Sequence, residues 1–105
     1  MKTYIIDQTD APAVEFTGER IAFVSSEEGT RARNSGRWTE LAVYKTNTRK
    51  YVLVISGKSR RPGERDLNQI HVERDLKDLL PYLFDNLLSK SLIDQLGVQK
   101  ETIRL

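Results

Sequence analysis

Apolar and polar residues alternate with a period of two through the first two thirds of the chain, and with a period near 3.6 after residue 75. Thr3–Ile6, rich in β-branched and aromatic residues, reads as a short first strand, and Asp7–Pro12 as the turn after it. Ala13–Phe16 and Glu19–Ser25 read as two extended pieces about Gly18. They form either a tight hairpin or one bent strand, since glycine inside a strand often marks a bulge. In the second piece Ile21, Phe23 and Ser25 alternate with Ala22 and Val24.

Ser25–Gly36 holds no large apolar residue and predicts a long polar loop. Arg37–Lys45 and Lys50–Ser56 make the clearest hairpin, joined by Thr46-Asn47-Thr48-Arg49. Gly57–Asp66 is a second polar loop with a turn at Pro62-Gly63, and Asn68–Arg74 a further strand on which Ile70 and Val72 share a side. The register of the central hairpin decides its faces. Pairing Lys45 with Lys50 groups Trp38, Ala42, Tyr44, Tyr51, Leu53 and Ile55, and leaves Leu41, Val43, Val52 and Val54 to meet the leucine-rich helix. A one-residue slip sets Tyr44 with Val52 and Tyr51 with Lys45.

Leu76, Leu79, Leu80, Leu83, Phe84, Leu87 and Leu88 then fall on one wide helix face. With Asp78 as N-cap, Pro81 sits in the first turn, where its missing N–H breaks no intrahelical bond; with Asp75 it would sit in the interior. Asp78 is therefore the preferred start. Ser91 with Asp94 resembles a capping box for a second short helix, which Gly97 ends and onto which Val98 packs back. The order of strands and then helices implies an α+β fold: a twisted antiparallel sheet of about five strands with one or two C-terminal helices packed on one face. At 105 residues the chain reads as a single domain, strand-rich over 1–74, helical over 75–97, with a tail at 98–105 that is either frayed or a last strand. A broad leucine face is core, or in part a homodimer interface.

The charge pattern adds a candidate surface. Residues 31–65 carry ten Lys/Arg and two acids, whereas residues 1–30 and 66–105 are net acidic, so the overall +2 conceals a basic centre. The two outer ends of a hairpin lie side by side. Arg31, Arg33, Arg37, Lys58, Arg60, Arg61 and Arg65 therefore converge at one end of the sheet, with Lys45, Arg49 and Lys50 at the tip. Charge this dense requires an offset: acids such as Glu27, Glu28, Glu64 and Asp66 fold over it, or a polyanion does. Seven of the ten are arginine, whose planar fork suits phosphate.

Other chemistry is sparse. Without cysteine there are no disulfides, thiolate nucleophiles or cysteine zinc sites, and a lone His71 makes no histidine metal site. Gly57-Lys58-Ser59 lacks the earlier glycine and the following helix of a phosphate loop. No metal or cofactor is expected. The apolar run at the start is far below a signal-peptide core and no stretch is long enough for a bilayer, so the expectation is a cytoplasmic protein without a membrane partner. The leading expectation is a non-enzymatic module that binds a polyanion, with nucleic acid the first choice, through phosphate contacts from Arg31, Arg33, Arg37, Arg60 and Arg61, with Lys58 and Arg65 in the same binding surface and Trp38 supplying stacking or shape. A second is a protein-interaction or inhibitor domain docking an acidic protein surface. A third is a small ribonuclease-like enzyme in which His71 works with Arg60, Arg61 and Glu73.

Overall fold

In the computed structural model, residues 1–97 are described. Five strands, β1 (Lys2–Gln8), β2 (Ala11–Ser25), β3 (Arg37–Thr46), β4 (Tyr51–Ser59) and β5 (Leu67–Glu73), follow one another in a single antiparallel sheet of the same order. Helix α1 (Thr30–Ser35) interrupts the path from β2 to β3, and a 3-10 helix (Leu76–Tyr82) and α2 (Leu87–Leu96) follow β5. The α+β class and the five antiparallel strands agree with the sequence pattern.

Between the two readings of residues 11–25, the structure takes the bent strand. The first part of β2 pairs with β1 and the last part with β3, and Gly18 belongs to both ladders, opposite Lys2 and Thr46. A Cβ at Gly18 would lie 2.2 Å from the Lys45 carbonyl oxygen, so no other residue permits this crossing. A bulge follows at once: Arg20 faces Tyr44, but Ala22 faces Val43. The extra residue, Ile21, inverts the alternation, so that Arg20 and Phe23 share a face that a regular strand would deny them.

The β3–β4 register is the slipped one, with Tyr44 opposite Val52 and Lys45 opposite Tyr51. The loop is one residue shorter than expected. Thr46 N–H donates to the Lys50 carbonyl at 2.9 Å, and Lys50 N–H to Thr46 Oγ1 at 3.0 Å, so Thr46 and Lys50 close the hairpin. Arg49 absorbs the turn with a φ of 63°. This register separates the two faces differently from the Lys45–Lys50 pairing. Leu41, Val43 and Leu53 join Ala22, Val24, Leu79 and Leu92 in one buried cluster, with Tyr51 and Ile55 packed against it. Ala42, Val52 and Val54 form a second cluster on the opposite side, with Ile6, Phe16, Phe23, Tyr44 and Ile70.

The leucine-rich segment is not one helix, contrary to its spacing. The 3-10 helix begins after Asp75, not Asp78, and contains Pro81. Its i→i+3 bonding is the tighter alternative open to a segment in which proline removes a donor. Leu83 is extended, and α2 restarts at Leu87 with Asn86 as its cap, Oδ1 accepting from Ser89 N–H at 2.8 Å. Ser91 consequently lies inside α2 and caps nothing. Gly97 does end it, with a φ of 68°. The break divides the leucines: Leu83 and Leu88 pack on the core, while Phe84 and Leu87 stay 74% and 81% exposed. Val98 and the tail lie outside the described residues. No helix of the described residues is long and apolar enough to cross a membrane.

The sheet also curls. Thr9 N–H donates to the Asn68 carbonyl at 3.0 Å, Asn68 N–H to Thr9 Oγ1 at 3.0 Å, and Asn68 Nδ2 to the Asp7 carbonyl at 2.9 Å. These bonds draw the end of β1 onto the start of β5 and make the second cluster the floor of a concave face.

Candidate functional site

The base of the central hairpin is built from two cross-strand pairs, Arg37 with Ser59 and Trp38 with Lys58. The loops on either side are not simple coils. Ala32, 2% exposed, anchors the first as the short helix α1, which Gly36 ends with a φ of 72°. The second loop bonds directly to that end. Arg60 N–H donates to the Gly36 carbonyl at 2.9 Å, and Arg61 Nε to the Ser35 carbonyl at 2.6 Å. Arg31 and Arg33 on α1 are thereby held on the same end of the molecule as Arg60, Arg61 and Arg65.

Carboxylates offset part of this charge. Glu64 takes both forks of Arg37, with Nε to Oε1 at 3.0 Å and a close Nη2–Oε2 contact, and accepts from Ser59 Oγ at 2.6 Å. The Arg37 hydrogen bonds, and then that of Ser59, hold its carboxyl down to about 2, while Glu64 raises Arg37 in return. Lys58 Nζ lies 3.4 Å from Asp66, and Arg60 lies 3.7 Å from Glu27. Three of the four acids expected in this role thus face the basic residues. Arg31, Arg33, Arg61 and Arg65 have no carboxylate within ion-pair distance among the described residues. Arg61 is spent on a neutral carbonyl, which leaves its positive charge intact.

Trp38 is half-buried, and its ring is not free on both sides. The Arg60 guanidinium sits over it at 4.9 Å, and its Nε1 donates to Glu40 Oε2 at 3.0 Å. Arg37, Trp38, Lys58, Glu64, Arg65 and the exposed Leu67 line a shallow cleft of about 500 Å3 beside the loops. A larger groove of about 830 Å3 runs between α1, the ends of β3 and β4 and the Tyr82–Ser89 segment; Phe84 and Leu87 lie along it and Arg31 and Arg37 at its side.

Two further charged residues face the concave side, although sequence reasoning did not single them out: Glu40 toward the base of the hairpin and Arg20, opposite Tyr44, toward its tip. Glu40 shares the concave face with Trp38 because it is two residues further along β3. Arg20, outside the basic block, reaches that face only through the Ile21 bulge, and its guanidinium lies 4.5 Å over the Phe23 ring. The i, i+2 spacing of Trp38 and Glu40 was available in the sequence; nothing in it announced the bulge.

His71 is placed elsewhere. It pairs with Leu53, six residues before Ser59 and so roughly 20 Å along the strand from the Arg60–Arg61 loop. Its ring stacks on Tyr82 at 3.9 Å, and the Tyr82 hydroxyl donates to Glu73 at 2.8 Å. His71 and Glu73 are therefore joined through Tyr82, not with Arg60 and Arg61. Among the described residues no three His, Cys, Asp or Glu side chains gather in a way that could hold a metal ion. No protein-family model matches the chain, and neither a curated protein nor a solved structure matches it.

Proposed function

We propose that this protein is a non-enzymatic binding module that holds the phosphates of a nucleic acid on the paired loops at the base of the β3–β4 hairpin. The observation that carries this reading is the bonding of Arg60 and Arg61 to the end of α1. It fixes two arginine-bearing segments against each other while leaving Arg31, Arg33, Arg61 and Arg65 beyond ion-pair distance of any carboxylate among the described residues. A rigid rim of guanidinium groups binds phosphate at little ordering cost, because its loops are already in place. In this reading the C-terminal helical segments cover the sheet face of Leu41, Val43 and Leu53 and leave the concave face open to a ligand. Catalysis at His71 gains nothing from its placement, since its ring is taken up by Tyr82.

The test is titration of labelled single-stranded and duplex oligonucleotides over a range of salt. Affinity should fall steeply with salt. Arg60→Ala with Arg61→Ala should weaken binding alike for all sequences and reduce the salt slope by roughly one for each phosphate no longer neutralised. No binding at low salt would remove the reading. Retention of an acidic protein in place of any oligonucleotide would favour docking through the groove beside Phe84 and Leu87 instead.

A further inference from the structure

The curled sheet encloses a recess that the phosphate reading does not use. It lies on the concave face, measures about 210 Å3, and is floored by Phe23, Ala42, Tyr44 and Val54 with Arg20, Glu40 and Lys58 around it. Pockets for drug-sized molecules begin at roughly 300 Å3. The recess therefore suits one planar ring and not a larger metabolite.

Its polar groups define which ring. Glu40 Oε2 accepts from Trp38 Nε1 at 3.0 Å and from Ser25 Oγ at 3.3 Å, which orients the carboxylate. Its Oε1 accepts no hydrogen bond from the described residues. A half-buried carboxylate oxygen held in this way is matched by an amino group, which guanine, cytosine and adenine all present and to which guanine adds a ring N–H. Uracil and thymine offer a single N–H between two carbonyls, which a carboxylate repels. The Arg20 guanidinium lies over the Phe23 ring at 4.5 Å, and guanidinium planes are surfaces on which unpaired bases stack. The recess also continues into the basic rim. Lys58 lines it and stands opposite Trp38, over which Arg60 sits.

We infer that this recess takes one unpaired base of a single-stranded nucleic acid, with Glu40 accepting from the amino group of guanine, cytosine or adenine and Arg20 stacking on its plane. The inference rests on the phosphate reading, in which Arg60 and its neighbours track the backbone that leads the base in. It makes the ligand single-stranded and adds base preference to a contact that phosphates alone would leave indifferent to sequence.

The experiment uses the full chain and labelled oligomers of about twelve nucleotides, the span of one single-strand site. A uracil-only RNA is compared with the same RNA carrying one central guanine, cytosine or adenine, and thymine-based DNA oligomers form a parallel series. The substituted oligomers should bind about tenfold tighter, within the range of a good base contact. Glu40→Gln should abolish that preference. Arg20→Gln, at an exposed position where folding is not at stake, should weaken the substituted oligomers severalfold. Salt-sensitive binding with no base preference, or a preference that survives Glu40→Gln, overturns this inference and leaves the phosphate reading standing. Failure to bind any oligomer at low salt overturns both.

Discussion

The two faces of the central strands are made from the same alternation and end in opposite states. On one, Leu41, Val43 and Leu53 are 0–4% exposed beneath Leu79 and Leu92, at 1% and 0%. On the other, Val52 and Val54 are as deeply buried, and Tyr4, Phe16 and Tyr44 pack ring to ring with centroids 4.7–5.4 Å apart. That face, however, runs out into Arg20, Glu40 and Lys58. The first face closes because a second apolar layer exists to cover it. Among the described residues the concave face has no such layer and closes only as far as its own aromatic residues reach. A side chain's distance along the same strand thus decides whether it contributes to stability or remains available to a ligand.

The sharpest way to test that division is to cut into the closed face. Leu53→Ala should cost about 2–5 kcal/mol, the range for a leucine removed from a fully packed core, read from the urea midpoint. A cost below about 1 kcal/mol would mean that the helix-side cluster is not the seat of stability.

Gly18→Ala strikes the β1–β2 and β2–β3 ladders at once, because β2 serves both there. Its Cβ would meet backbone, the Lys45 carbonyl oxygen at 2.2 Å, which cannot swing aside as a side-chain tip can. The expected loss is about 1–3 kcal/mol, with faster amide exchange along β2 and β3. Unchanged exchange would show that the strands do not cross as closely as described.

The smallest effect is expected at the rim, where the two polar loops meet solvent. Glu64 has a folded pKa of about 2, below the ordinary 4.5, so its contribution is present above about 4.5 and is lost as pH falls toward 2. The stability difference between the wild type and Glu64→Gln should be constant near neutrality and vanish across that acidic window. The pair is exposed, so the difference should be slight. A difference that grows on acidification has the wrong sign for the Arg37–Glu64 clamp.

Several elements were readable from residues alone. The β3–β4 hairpin, the end of α2 at Gly97 and the meeting of the two basic loops all follow from periodicity, glycine and hairpin geometry, whereas Gly18 left a hairpin and a bent strand equally open until the pairing decided it. The helix boundaries were not. Leucine spacing across residues 76–88 is helical throughout, yet Pro81 and the Asn86 cap divide the segment and expose Phe84 and Leu87. Ser25–Gly36 looked structureless because α1 is held by one small residue, Ala32, whose burial depends on the fold around it.

The chain's own order of residues determined the α+β class, the approximate strands and the concentration of arginine at one end of a hairpin, because these depend on local periodicity and on connectivity. Tertiary structure alone decided the one-residue register at Thr46, the Ile21 bulge that turns Arg20 inward, and which arginines meet Glu27, Glu64 and Asp66. Each of those outcomes is a matter of a few ångströms between residues distant in sequence, and packing sets distances that no short-range pattern encodes.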